Sequence, residues 1–166
     1  MLERLDKLID HINLRSKTWE SPLLTPPGIV TGVAYADGDA VGAPGSFVLP
    51  YRSGLIQAAE YNDHSDQGFT VDLFLYRERP AAPVADNAPF VYTALSRDVE
   101  KQIGPRIQFL VEEDDSNVRK RTASGLAQPF YLAENCTMWY QMVFRGAGTI
   151  AASLLPSFRL TFLLDG

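Results

Sequence analysis

Cysteine and histidine are scarce in this chain of 166 residues. Cys136 is the single cysteine, and His11 and His64 are the two histidines. One cysteine cannot close an intrachain disulfide or build a cysteine-based zinc cluster, and the two histidines do not have metal-ligand spacing. Because Cys136 directly precedes an apolar strand pattern, we expect a buried structural thiol and not a nucleophile. The sequence therefore predicts no metal and no cofactor.

Positive charge and long apolar runs are also lacking. The chain has 15 Lys and Arg residues against 20 Asp and Glu residues, for a net charge of −5. This balance argues against a nucleic-acid partner, because phosphate contacts need clustered Lys and Arg. No run of 18 apolar residues is present, so we expect no membrane span. The N-terminus is charged from Glu3 onward and has no apolar signal-like core, which predicts a protein made and kept in a cytosol-like compartment.

Sequence motifs for catalysis are missing as well. There is no GxSxG nucleophile elbow, no HExxH and no glycine-rich phosphate loop. The run Asp63-His64-Ser65-Asp66 has the residue types of a hydrolase triad, but neighbours within one turn cannot adopt triad geometry. The acidic run from Glu112 to Asp115 leaves a cation site open, as an alternative to a solvated, charge-balanced loop over residues 112–125. We therefore predict that the protein is not an enzyme.

Alternation of apolar and polar residues is the main pattern along most of the chain. Residues 53–79 predict two strands joined by a polar turn at 62–68. Together with turn residues between similar runs elsewhere, this predicts about eight or nine short strands. The fold class indicated is all-β, an antiparallel, jelly-roll-like β-sandwich, with a β-barrel as the architectural alternative. The strands are predicted at 29–35, 46–50, 55–61, 69–76, 89–92, 106–111, 128–132, 137–145 and 158–164, with a short helix at 97–103 capped by Ser96.

The first 28 residues are predicted to form a unit in front of the β-sandwich, which takes residues 29–166. Residues 1–14 have the apolar spacing of a short N-terminal helix, and residues 15–28 are typical of an extended, proline-containing arm. A helix of this length must dock, either on its own β domain, on copies of itself or on a partner. The apolar anchors expected to hold the protein to its neighbours are Leu2, Leu5, Ile9, Ile12, Trp19, Leu23 and Leu24.

Several aromatic residues suggest further binding roles. Phe74 and Tyr76 lie on the second face of their strand, which one small sandwich cannot easily cover. We therefore predict self-association, as a homotrimer or a dimer. Trp139 and Tyr92 are candidate platforms for stacking a sugar, which keeps a carbohydrate-binding β-sandwich open as an alternative function.

Five segments of the β region resemble a set of tailed-phage head proteins. These proteins run Ser-Gly-Leu-Ile-Gln into a strand, and later carry Leu-Pro-Phe and a strand that ends in Arg-Gly. They are small β-domain proteins associated with the major capsid protein and are described as decoration, cement or head-stabilising proteins. The resemblance spans residues 29–166, and the charged segment 112–121 and the pair Trp139-Tyr140 depart from it. The matching segments are 53–57, 72–76, 128–130, 138–146 and 160–165.

The resemblance implies a function that the residue patterns alone do not give. It implies a non-enzymatic protein on the outer surface of an icosahedral virion, made in the host cytoplasm, that cements neighbouring major capsid protein subunits. It also implies trimers at or near three-fold positions of the shell. The alternative on the same particle is a virion-surface carbohydrate-binding module.

Overall fold

The protein is an antiparallel β-sandwich of two packed layers. The computed structural model describes residues 16–64, 70–81, 84–91, 97–109, 111–115, 118–152 and 154–165. One layer has five strands in the order β1-β11-β4-β8-β7, and the other has four in the order β3-β9-β5-β6. A two-stranded ribbon pairs β10 with β2. The elements are β1 (Ser16–Glu20), β2 (Ala34–Tyr35), β3 (Ala40–Val48), β4 (Ser53–Asp63), β5 (Thr70–Tyr76), α1 (Asp98–Lys101), β6 (Ile107–Gln108), β7 (Val111–Asp115), β8 (Val118–Tyr131), β9 (Thr137–Arg145), β10 (Gly148–Thr149) and β11 (Ser157–Asp165).

The predicted all-β antiparallel sandwich is confirmed. The two strands predicted within residues 53–79 correspond to β4 and β5, and they do not pair with each other. β4 is hydrogen-bonded to β11 and β8 in the five-stranded layer, whereas β5 is hydrogen-bonded to β9 and β6 in the opposite layer. The connections β3–β4 and β8–β9 also pass from one layer to the other, as they do in a jelly roll.

Aromatic side chains fill the space between the two layers. The ring of Phe162 on β11 lies 5.6 Å from that of Phe130 and 6.1 Å from that of Phe47, measured between centroids. Phe158 lies four residues before Phe162 on the same face of β11. Its ring packs edge-on against that of Tyr140, with the two centroids 4.8 Å apart. Burial of each large apolar side chain stabilises the fold by about 1.5–3 kcal/mol. Because β11 supplies these rings, it is central to the core.

The arm predicted at residues 15–28 is in part a strand of the sandwich. Residues 16–20 form β1, which pairs with β11 at the edge of the five-stranded layer. Trp19 packs in the core at 5.6 Å from the ring of Phe162, and Leu24 is buried in a two-way backbone bridge to Phe158. Leu23 is 51% exposed. The amino-acid composition showed the prolines that follow β1. It could not show that β11 has a free edge, which this segment covers. The predicted helix of residues 1–14, with Leu2, Leu5, Ile9 and Ile12, lies outside the described residues.

The outer face of the four-stranded layer is covered by the chain itself. Phe74 and Tyr76 of β5 form a small buried cluster with Val143, and Phe90 and Trp139 pack against it. The rings of Phe74 and Phe90 are 4.8 Å apart. The second face of this strand is therefore covered within one molecule, and it no longer supports self-association.

A single carboxylate fastens the segment that brings Phe90 over this face. We call residues 84–91 the cover segment. Asp86 accepts hydrogen bonds from Val30 N at 2.8 Å, Gly42 N at 2.5 Å and the Tyr35 hydroxyl at 2.7 Å. Backbone bonds also join the segment to Gly38 and Ala40, so it shields the edge of β3 as well.

The charged segment 112–125, predicted as a loop, is instead a pair of strands. β7 and β8 form an antiparallel ladder in which Glu112 is opposite Arg121, Glu113 is opposite Lys120 and Asp114 is opposite Arg119. The acidic and the basic residues of this segment therefore fall on two paired strands, which a count of charges cannot show.

Smaller differences concern the ends of elements. The helix α1 is shorter than predicted, and its N-cap residue is Arg97, in the left-handed region at φ 51°, so Ser96 is not the cap. Of the strand predicted at 29–35, only Ala34–Tyr35 is paired. The strand predicted at 89–92 is reduced, among the described residues, to one isolated bridge between Pro89 and Asp39.

We expect removal of residues 1–28 to destabilise the sandwich more than removal of residues 1–15 does. The longer truncation removes Trp19 and Leu24 from the core, each worth about 2–5 kcal/mol, and exposes the edge of β11. The measurement is the midpoint and slope of urea unfolding for the two truncations and the full chain. Equal stability of the two truncated proteins would contradict the placement of β1.

Replacement of Asp86 by Ala should lower the free energy of unfolding by about 2–4 kcal/mol, because three donors lose their shared acceptor. Asp37→Ala is the matched control, since the Asp37 carboxylate accepts one exposed bond, from Gly146 N. The control should change stability by less than about 1 kcal/mol. Urea unfolding of both variants tests this, and equal effects would show that Asp86 does not hold the cover segment.

Buried tyrosines should make the fold sensitive to alkali. Burial raises the pKa of Tyr140 from 10.0 to about 12 and also raises the pKa values of Tyr35 and Tyr61. The folded state then favours the neutral phenol, so this contribution to stability is complete below pH 10 and is lost as pH rises from 10 towards 12. Each such group contributes a slope of up to about 1.4 kcal/mol per pH unit. Urea unfolding between pH 10 and 12 should show that the free energy of unfolding falls less steeply with pH for Tyr140→Phe than for the unaltered protein. An equal slope in the two proteins would contradict the expectation.

Candidate functional site

The two layers differ in how exposed the side chains of their outer faces are. Side chains that point outward from the five-stranded layer are half-exposed or exposed, in contrast to the buried outer cluster of the four-stranded layer. We call this surface the open face. Its residues are Leu55, Ala58 and Glu60 on β4, Arg159, Thr161 and Leu163 on β11, and Thr122, Ser124, Pro129 and Tyr131 on β8.

A depression lies at the middle of the open face. Ala58, Ser124 and Thr161 are direct neighbours across three strands, and their small side chains leave a hollow of about 280 Å³. The ladder is irregular at the same place, because Gln57 has no partner in either adjacent strand. A β-bulge of this kind bends its strand and increases the local twist. Small residues and a bulge together account for the hollow.

Three charged side chains that line the depression, Glu20, Glu60 and Arg159, belong to two ion pairs. Arg159 Nη1 lies 3.4 Å from a carboxylate oxygen of Glu20, and Lys120 Nζ lies 2.8 Å from one of Glu60. Burial raises the pKa of the Glu60 carboxyl, but hydrogen bonds from Lys120 and Asn62 outweigh this effect and leave the pKa below its usual value. Glu60 is therefore ionised at neutral pH, and the charges around the hollow balance.

The end of β8 adds an exposed aromatic ring to the open face. Tyr131 is 65% exposed, and the guanidinium of Arg52 stacks over its ring at 5.0 Å from the centroid. Next to it, a groove of about 220 Å³ lies between Pro129 and the backbone at Gly104. Tyrosine and arginine are the residue types that most often carry binding energy at protein interfaces. In the sequence, Tyr131 is distinguished only by its place at the end of an alternating run.

The predicted anchors are not brought together into a site. Trp19 and Leu24 belong to the core, Leu23 is exposed on the connection after β1, and the other four lie outside the described residues. Of the candidate sugar platforms, Tyr92 is also outside them. Trp139 is half-buried, with Arg79 positioned 5.5 Å from its ring centroid.

His64 contacts a residue far along the chain from its own turn. Its Nε2 lies 3.1 Å from the Ser157 hydroxyl, which comes from the start of β11. Ser157 is only 2% exposed, so its oxygen is not accessible to a substrate. Cys136, predicted to be a buried thiol, is instead half-buried in a turn with φ 51°. Among the described residues, no group of three His, Cys, Asp or Glu side chains is arranged to hold a metal ion.

Comparison with known proteins adds no relative. A scan against protein-family models, a search of curated proteins and a search of solved structures each find no match to this chain. In the described part of the chain, no helix is long and apolar enough to cross a membrane.

Proposed function

We propose that this protein is a non-enzymatic structural protein that binds the outside of a tailed-phage capsid and cements neighbouring major capsid protein subunits. On this proposal it is made in the host cytoplasm and ends on the outer surface of the virion. The structural observation that carries the proposal is the open face, with its hollow, its balanced charges and its exposed Tyr131. The resemblance of five β segments to phage head proteins supports the choice of partner.

The open face has properties that suit a protein partner. It belongs to a sheet whose backbone is held on both sides by ladders, so little conformational entropy is lost on binding. A stable interface takes about 800 Å² from each partner, and the residues of the open face spread over three neighbouring strands. Copies bound around a shell act together, so each contact can be weak. Self-association as a trimer or dimer remains a prediction that the covered Phe74 cluster does not support.

A matched pair of substitutions tests the proposal. Ser124→Trp fills the hollow of the open face, whereas Ser46→Trp places the same side chain at an exposed position of β3 in the other layer. Both positions are exposed sites on strands, where Trp is well tolerated. We expect Ser124→Trp to weaken binding to capsids that lack the native protein by at least about tenfold, the effect of losing 1.4 kcal/mol. Ser46→Trp should bind as the unaltered protein does.

Tyr131→Ala provides a second arm of the same assay. Truncation of an exposed aromatic side chain that anchors an interface lowers the binding free energy by about 2 kcal/mol or more, which is about thirtyfold in affinity. Circular dichroism and urea unfolding of each variant establish that the fold is kept. If Ser124→Trp and Tyr131→Ala both bind capsids normally, the open face is not the attachment surface. If the unaltered protein does not bind, the proposed function is wrong.

A further inference from the structure

A buried carboxylate on the four-stranded layer holds two arginines side by side at the surface. Asp72 is on β5, with a side chain only 1% exposed. Its Oδ2 accepts a hydrogen bond from Arg145 Nε at 2.6 Å, and Arg106 Nη1 lies 3.0 Å from the same oxygen. The side chains of Arg106 and Arg145 are 45% and 31% exposed.

This arrangement leaves positive charge and unused donors at the surface. Two guanidinium groups and one carboxylate have a net charge of +1, in a chain whose net charge is −5. Each guanidinium carries five N–H donors. Within the described residues, Asp72 is the only acceptor with which either group makes a hydrogen bond or ion pair. Most of these donors therefore have no acceptor within the described part of the chain, and both side chains reach the surface.

We propose that Arg106 and Arg145 form a docking site for the carboxylate of an acidic side chain on a partner protein. A carboxylate complements the residual charge, and arginine donors match its two oxygens in a planar, two-bond arrangement. Asp72 fixes both groups before the partner arrives, so less side-chain entropy is lost on binding.

The size and surroundings of the site favour one carboxylate over a nucleic-acid backbone. Two arginines can neutralise a single extra anion, whereas nucleic-acid binding needs a longer basic patch and is opposed by the negative charge of the chain. The site also lies on the layer opposite to the open face. The inference thus rests on the proposed function for the partner, and gives one molecule a second contact through which to join two capsid subunits.

The test follows the arginine side chains directly. In the full-length ¹⁵N-labelled protein, the Nε–H signal of Arg145 is recorded by NMR while a triglutamate peptide is added, with a trilysine peptide as control. We expect a saturable shift with triglutamate alone, weaker at high salt because the contact is half-exposed. Arg106→Gln should reduce the affinity by about tenfold, as expected for loss of a charged hydrogen-bonding partner. Arg97→Gln, which removes an exposed arginine beside α1, should leave the affinity unchanged.

Asp72→Asn sharpens the test, because it removes the internal carboxylate that competes for the same donors. The variant should bind triglutamate more tightly than the unaltered protein does. If this variant fails to fold, Arg106→Gln alone decides.

Three results would overturn the site: no saturable shift, an equal loss of affinity in Arg97→Gln, or a preference of the same arginines for a short oligodeoxynucleotide. The peptide titration is independent of capsids, so a protein that binds triglutamate but not capsids refutes the proposed function alone. A protein that binds capsids but not the peptide refutes the docking site alone.

Discussion

The hydrogen bonds of Asp86, together with backbone bonds at Gly38 and Ala40, fix which outer face of this protein is covered. Asp86 gathers the amides of Val30 and Gly42 and the hydroxyl of Tyr35, and so holds the cover segment against the body. With that segment in place, Phe90 lies over Phe74, and an apolar patch of the four-stranded layer is shielded. An exposed patch of that kind would attract other proteins without selectivity. The five-stranded layer has small and charged outward side chains at its centre, so it can face solvent until a partner binds.

Two other carboxylates make contacts of a different kind from those of Asp72. Asp98, which is also buried, accepts hydrogen bonds from the backbone amide of Ala81 and from Lys101. Asp86 uses neutral donors alone. Asp72 forms ion pairs with two cations, one more than is needed to balance its own charge. The excess lies at the surface because both arginines are only part-buried. A purely structural role needs one arginine, and the second is what makes an external carboxylate favourable.

Local patterns in the sequence predicted the strands well and their partners poorly. Period-2 alternation marked residues 55–61, 69–76, 137–145 and 158–164 correctly, because inward and outward side chains are chosen strand by strand. It could not show that β4 and β5 belong to opposite layers, since that depends on contacts far apart along the chain. It also assumed unbroken alternation through Gln57, where the bulge lets Ala58 face outward while Ala59 faces the core. The hollow of the candidate site arises at that break, so regular periodicity could not have located it.

The placement of β1 changes how attachment to a neighbour is best explained. Composition suggested a proline-stiffened arm whose apolar side chains would need a partner to cover them. Trp19 and Leu24 are instead covered by the body, so residues 16–28 have little apolar surface left to offer, apart from Leu23. Trp19 and Leu24 are therefore not free to anchor a neighbour, whereas attachment through Leu2, Leu5, Ile9 and Ile12, which lie outside the described residues, stays a prediction. A rigid body with surfaces on two opposite layers fixes both the distance and the orientation between the neighbours it joins, whereas a flexible arm fixes only the greatest distance. On the proposed function, resistance of a shell to expansion needs both, which makes the sandwich an element suited to cementing.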